Sequence, residues 1–264
     1  MEGLTDMQRL FEATGNFRRR FPLVCELFEQ GGVDLRSEIY GRMLACSRAG
    51  VEGDNRIVVL DVGCAPGTSI EQVVRSCNVT ASRMNLSSRV HGIGVDLNPV
   101  CDISPEILSI GAGIGVGTDP VTEFREGNIC NLPVSDSSVD VYYSGNTLIY
   151  VADSLRAFEE GYRVLRPGGV AVWNVHKESI SVDLKFSDIL RMTPGAEGVF
   201  TCTECPYLGD VFVVCRKTAS DGFKGFPFEV FKELRGEDLY RGGPLESAEI
   251  ARYYRSAIYR ACRR

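Results

Sequence analysis

The sequence predicts one doubly wound α/β domain with helical additions at both ends. Short apolar runs alternate with amphipathic stretches between residues 57 and 175. That is the pattern of parallel strands joined by crossover helices. The first run, Ile57–Val62, is apolar apart from Asp61 and closed by Gly63, as expected of a strand buried on both faces. Past residue 198 the order changes, and two strand-like runs follow each other with no clear helix between them. An antiparallel hairpin at the sheet edge is the expected outcome. This reading divides the 264 residues into a helical cap (1–50), a central domain (51–217) and an extension (218–264) packed on the same domain.

The elements follow in order. Residues 4–48 read as helix, with Leu10, Phe11, Phe17, Phe21, Leu23, Val24 and Leu27 at roughly helical spacing. Pro22 and Gly31-Gly32 break that stretch, and Arg18-Arg19-Arg20 reads as a solvated helix face. After the strand Ile57–Val62 comes a helix, Thr68–Cys77. His91–Val95 is a second strand, ending at Asp96. Glu123–Ile129 holds a third and Val139–Ser144 is a fourth. Ser154–Leu165 is an amphipathic helix with Leu155, Phe158, Tyr162 and Leu165 on one side. Arg166-Pro167-Gly168-Gly169 stops it, and Val170–Val175 is a fifth strand. Gly198–Thr203 and Val211–Arg216 are the hairpin candidates. A terminal helix is expected over Glu246–Ala261, with Ile250, Tyr253, Tyr254 and Ile258 on one face and several arginines making it basic.

Bulk composition narrows the function classes. Hydrophobic residues make up 44% and charged residues 24%, so a sizeable core is possible. The net charge of −6 disfavours a generic polyanion binder, because phosphates are repelled at long range. A small molecule or a protein is the favoured partner class, and a local basic patch leaves nucleic acid open. No apolar run approaches the length of about 20 residues that spans a bilayer. The N-terminal stretch MEGLTDMQRLFEATGNFRRR lacks the apolar segment of a secretory signal. The ten cysteines are therefore expected to be reduced thiols, and the cytoplasm is the expected location.

Three segments carry chemistry. In the first, Val58-Val59-Leu60-Asp61-Val62-Gly63-Cys64-Ala65-Pro66-Gly67-Thr68-Ser69, a buried strand runs into a turn of small residues and then a helix. Only a backbone without bulky side chains lets a ligand sit against a strand end. A phosphate loop would require Gly-Lys-Ser/Thr, and a dinucleotide fold GxGxxG; this turn has GxAxG preceded by an acid. In the second, Gly92-Ile93-Gly94-Val95-Asp96-Leu97-Asn98-Pro99, an acid stands at a strand tip, where it can accept two hydrogen bonds from a ribose diol. The third is Glu126-Gly127-Asn128-Ile129-Cys130-Asn131-Leu132-Pro133, followed by Ser135-Asp136-Ser137-Ser138-Val139-Asp140.

In this order and spacing these segments resemble class I S-adenosylmethionine-dependent methyltransferases over about residues 55–177. Tyr143-Ser144-Gly145-Asn146-Thr147-Leu148 and the run Phe158–Gly169 add to the likeness. The nearest subgroup is the small-molecule type related to ubiquinone/menaquinone methyltransferases. The resemblance implies a Rossmann-like fold: a doubly wound seven-stranded, mostly parallel sheet with an antiparallel last strand. It implies S-adenosyl-L-methionine as cofactor, S-adenosyl-L-homocysteine as product and no metal. Gly63, Ala65 and Gly67 would pass under the methionine part, and Asp61 would orient that loop or the amino group. Asp96 would bind the ribose, Asn128 would pair with the adenine amine, and Ile129 would line the adenine face. Cys64, Leu97 and Ser144 complete the implied cofactor contacts.

Other motifs carry less. Gly111–Gly117 imitates a nucleotide loop, but no buried strand precedes it, so a loop is expected. Of the two histidines, His91 reads as structural. His176 follows the fifth strand at the carboxyl edge and is the candidate general base for a hydroxyl or amine acceptor. Lys177 resembles the lysine of the 2′-O-ribose methyltransferase tetrad, but Asn146 stands where its partner acid belongs. Cys202 and Cys205 are too few for a zinc site, which requires four ligands. The expected acceptor is a small molecule methylated on O, N or C. An RNA methyltransferase, suggested by Cys64-Ala65-Pro66-Gly67 and the basic tail, and a non-catalytic cofactor-binding partner protein are the alternatives. The sequence leaves the acceptor atom and the oligomeric state open.

Overall fold

The computed structural model describes residues 25, 28–29, 32–49, 55–64, 67–97, 122–145, 147–148, 151, 154–176, 190, 193–196, 198–204, 210–219 and 222–226, with the backbone alone at 49, 68, 175–176, 204 and 210. Among them the elements are α1 (Leu35–Ala49), β1 (Arg56–Val62), α2 (Thr68–Arg83), β2 (Arg89–Asp96), β3 (Thr122–Glu126), β4 (Val139–Ser144), α3 (Ser154–Val164), β5 (Leu165–His176), β6 (Phe200–Glu204) and β7 (Asp210–Arg216). The expected helices over residues 4–24 and 246–261 and the Gly111–Gly117 loop lie outside the described residues.

The seven strands form one sheet in the order β3-β2-β1-β4-β5-β7-β6. β7 runs antiparallel to both of its neighbours, and every other pair is parallel. The chain lays β2 and β3 on one side of β1, then returns to place β4 and the rest on the other. Strand order therefore reverses between β1 and β4, which opens a crevice at their carboxyl ends.

Alternation along the buried strands divides the core into two layers. Leu60, Val62, Ile93, Val95, Tyr142, Ala171 and Trp173 face the layer that holds Leu155, Phe158 and Val164 of α3. Ile57, Val59, Val141, Tyr143, Val170 and Val172 face Leu35, Ile39 and Met43 of α1 and Ile70, Val73, Val74 and Cys77 of α2. The helices thus sandwich the sheet, and the doubly wound class expected from the sequence is the one observed. The start of α1 is set by Asp34, whose carboxylate accepts both the Ser37 backbone N–H (3.0 Å) and the Ser37 hydroxyl (2.5 Å).

Five boundaries differ from expectation. α2 continues past Cys77 to Arg83, because Asn78 bonds the N–H and carbonyl of Val90 and ties another turn to β2. β3 stops at Glu126 rather than Ile129. There the Asn128 side chain accepts the Cys130 N–H (2.8 Å) while Asn131 N–H donates to the Asn128 carbonyl (2.9 Å), a turn that competes with the ladder. The helix expected to reach Leu165 ends at Val164, and Leu165 opens β5. The fourth concerns Arg166-Pro167-Gly168-Gly169, which lies inside the span of β5. Val139 pairs with Leu165 but Val141 with Val170, so the extra residues bulge out of the ladder. Gly168 takes φ +83 in that bulge, and its N–H donates to the Lys217 carbonyl (2.7 Å). The hairpin strands are displaced by a residue or two, to Phe200–Glu204 and Asp210–Arg216.

Candidate functional site

Asp61 is the next-to-last residue of β1, level with Gly94 of β2 and Tyr143 of β4. Its side chain is 4% exposed. The Tyr143 hydroxyl lies 3.1 Å from Asp61 Oδ2 and donates to it. The same hydroxyl is 3.2 Å from Ser69 Oγ, in the first turn of α2. Burial first, and the neighbouring Asp61 second, push the Tyr143 phenol far above its ordinary pKa. Edge-on contact with Phe28 (ring centroids 6.1 Å apart) holds the tyrosine ring from the other side.

β1 leaves the sheet in a turn that depends on two glycines. Gly63 and Gly67 take φ of +80 and +85, conformations that side chains on Cβ disfavour. Both also lack room for a Cβ. One built on Gly63 would overlap Thr147 Oγ1 and stand 2.7 Å from Thr147 Cγ2, and one on Gly67 would stand 2.5 Å from Phe124 Cζ. The turn is fixed by backbone bonds from Gly63 N–H (2.8 Å) and Cys64 N–H (3.3 Å) to the Val95 carbonyl, and from Gly67 N–H to the Cys64 carbonyl (2.6 Å). Ser144 Oγ (2.9 Å) and Thr147 Oγ1 (3.2 Å) both donate to the Val62 carbonyl, which latches the exit of β4 to the exit of β1. Cys64 is buried, with its sulfur 2.8 Å from where a Cβ on Gly94 would stand.

One strand further out, Asp96 ends β2 and is half-buried. Leu97 beside it is 71% exposed. The Asp96 carbonyl accepts Gly127 N–H (2.9 Å), which brings the exit of β3 alongside. Asn128 is exposed there, whereas Ile129 is buried in the same apolar cluster as Val95 and Leu132.

The structure thus gathers the sequence-predicted residues into two groups at one edge. Asp61, Gly63, Cys64, Gly67 and Ser144 surround the end of β1, and Asp96, Leu97 and Asn128 the ends of β2 and β3. Ala65 lies outside the described residues, as do Asn146 and Lys177. His176 closes β5, opposite Asp210 and three residues beyond Trp173, which is level with Ser144. Its backbone therefore stands past the carboxyl end of β4. His91 sits on β2 with Nε2 3.7 Å from Glu123 Oε1. Sequence reasoning passed over Ser69, Tyr143 and Thr147 as site residues. Alternation from Val141 was the available signal for Tyr143, since both face the α2 side. Among the described residues no three His, Cys, Asp or Glu side chains are grouped to hold a metal ion, and no helix is long and apolar enough to cross a membrane.

The sequence pattern of a family described as a methyltransferase domain matches residues 60–173. The chain is 31% identical over 138 residues to an arsenite methyltransferase of Halobacterium salinarum, a stretch covering 52% of this chain and 30% of that protein. It is 38% identical over 72 residues to a ubiquinone/menaquinone biosynthesis C-methyltransferase of Bartonella quintana, covering 26% and 28% of the two chains. The chain spans about a third of the length of the curated relatives it matches. Among solved structures, a Methanococcus maripaludis protein assigned to the S-adenosylmethionine-dependent methyltransferases aligns with TM-score 0.41 and 15% identity, over 83% of this chain and 93% of that one. Residues 60–173 are thus similar to methyltransferase domains.

Proposed function

We propose that the protein transfers the methyl group of S-adenosylmethionine to a small-molecule acceptor. The observation that carries this reading is the two-glycine turn at the β1/β4 switch point, with the buried Asp61 carboxylate at its entrance and Asp96 beside exposed Leu97 one strand away. The residues present suit the cofactor: a half-buried acid for a ribose diol, an open apolar side chain for adenine, and backbone close enough for a ligand to approach. In this reading Asp61, Gly63, Cys64, Ala65, Gly67 and Ser144 hold the methionine end. Asp96, Leu97, Asn128 and Ile129 hold the adenosine end.

When bound, the cofactor supplies a sulfonium methyl already activated for in-line displacement. The protein's work is then to orient both reactants and keep water out. His176 is the proposed general base, taking the proton from a hydroxyl or amine acceptor.

The net charge of −6 supports a small molecule over nucleic acid. The relatives named for arsenite and for quinones support it too, and the second supports a ubiquinone/menaquinone-type subgroup. We place the catalytic domain at residues 51–217, with 1–50 and 218–264 as additions to it, and the protein in the cytoplasm.

Calorimetric titration of wild type and Asp96→Ala with S-adenosylmethionine and S-adenosylhomocysteine tests the reading. Micromolar binding by wild type is expected. Loss of two hydrogen bonds to a charged acceptor should weaken it at least about tenfold in the variant. A well-folded wild type that binds neither ligand would refute the proposal. Binding with no methylation of any small molecule, but of RNA, would shift the acceptor class.

A further inference from the structure

We propose that Tyr143 is a positioning residue that aims the Asp61 carboxylate at the cationic amino group of the cofactor. The inference rests on the reading of the site given above and adds a residue to it. Asp61 and Tyr143 are ladder partners on adjacent strands, so their side chains leave the same face of the sheet at the same level. The phenol has one proton and the ionised carboxylate none, so Tyr143 donates to Asp61 and Ser69 must donate to Tyr143. The chain of bonds therefore runs one way, from Ser69 through Tyr143 to Asp61.

Each link is anchored in a different element. Ser69 is in the first turn of α2, Tyr143 on β4 and Asp61 on β1. Burial keeps the phenol protonated, so it remains a donor throughout the physiological pH range. Phe28 edge-on to the ring, itself edge-on to Phe212, restricts where the hydroxyl lies. Asp61 in turn stands where β1 enters the turn at Gly63 and Gly67. A carboxylate pinned there meets an ammonium at low dielectric, where attraction is strong and sensitive to small displacement. The adenosine end lies one to two strands away, at Asp96 and Asn128, and shares none of these bonds.

The consequence is a ligand-selective loss. Calorimetric Kd values for S-adenosylmethionine and S-adenosylhomocysteine are compared with the competition constant of 5′-methylthioadenosine, which lacks the amino-acid chain. Wild type, Tyr143→Phe and Ser69→Ala are measured, each with its melting temperature. Tyr143→Phe should weaken the first two ligands roughly tenfold and 5′-methylthioadenosine less than about twofold. Ser69→Ala should show the same selectivity at smaller size. A purely structural role predicts equal loss for all three ligands, and that result, or no loss at all, overturns the proposal while leaving the cofactor reading intact. A wild type that binds none of the three overturns both. Should Tyr143→Phe fail to fold, Ser69→Ala decides: selective loss supports the relay, and uniform or absent loss removes it.

Discussion

Replacing Gly63 by alanine should be one of the most damaging single-methyl additions to this fold, and its cost separates into two parts. The first is conformational. At φ +80 an alanine is strained by about 1–2 kcal/mol, partly offset by about 0.4–1 kcal/mol from a less flexible unfolded chain. The second is steric. The new Cβ would overlap Thr147 Oγ1 and lie 2.7 Å and 2.9 Å from Thr147 Cγ2 and Cβ. Thr147 must rotate away, losing its bond to the Val62 carbonyl at about 1 kcal/mol and repacking at about 1–3 kcal/mol. Ser144 still donates to that carbonyl, so no orphaned acceptor is added. The total is about 3–5 kcal/mol, or very roughly 10 °C in Tm for a chain of this size. Urea titration is the assay, read by the fluorescence of Trp173, the single tryptophan and fully buried. Gly168→Ala supplies the control, because Gly168 has φ +83 but nothing within 4 Å of a built Cβ. It should cost only about 0.5–1 kcal/mol. Adding Thr147→Ala to Gly63→Ala should recover about 1–2 kcal/mol by removing Oγ1 and Cγ2. Equal costs at Gly63 and Gly168, or a penalty unchanged by Thr147→Ala, would refute the steric argument.

Two further measurements bear on the buried titratable groups. Burial raises the Asp140 carboxyl above its ordinary pKa, against the opposing Val58 N–H bond and the nearby Arg166 and Arg42 charges. The folded state then holds a proton that the unfolded state has released. Its contribution to stability falls as pH rises from about 3.9 through the raised folded value. Asp140→Asn should abolish this slope, so the urea midpoint of wild type minus that of the variant should decline over this window; a flat difference counts against it. Burial also pushes the Cys25 thiol up to about 11 and the Cys77 thiol up to about 12. At pH 8 neither should be alkylated in the folded protein, while among the described cysteines the half-buried Cys46, Cys130 and Cys202 react before them. Mass mapping that found Cys77 modified as fast as Cys130 would contradict the packing of α2 on the sheet.

The sequence by itself determined the class of fold and the turn that defines its ligand edge. Both are written in local, one-dimensional signals. Ile57–Val62 reads as a strand buried on both faces because, Asp61 apart, its run is apolar without alternation. Gly63 and Gly67 mark the turn because only glycine takes a positive φ there without strain. Asp96 is legible because it stands at the tip of a strand, directly after the small and apolar Ile93-Gly94-Val95.

Tertiary structure decided what depends on residues far apart in the chain. The glycine signal at Arg166–Gly169 says that the backbone turns, but only pairing with β4 and β7 shows that it bulges within β5 instead of preceding it. Asn78 and Asn128 carry the same side chain, yet one extends a helix by bonding β2 and the other ends a strand by bonding its own backbone. The Ser69–Tyr143–Asp61 chain spans 82 residues between Asp61 and Tyr143. Alternation from Val141 sets that tyrosine on the face opposite to Tyr142, but nothing local says that its hydroxyl meets Asp61 and Ser69. A hydrogen bond between distant residues leaves no periodicity in the sequence. It exists only once the ladder has set β1 and β4 in register.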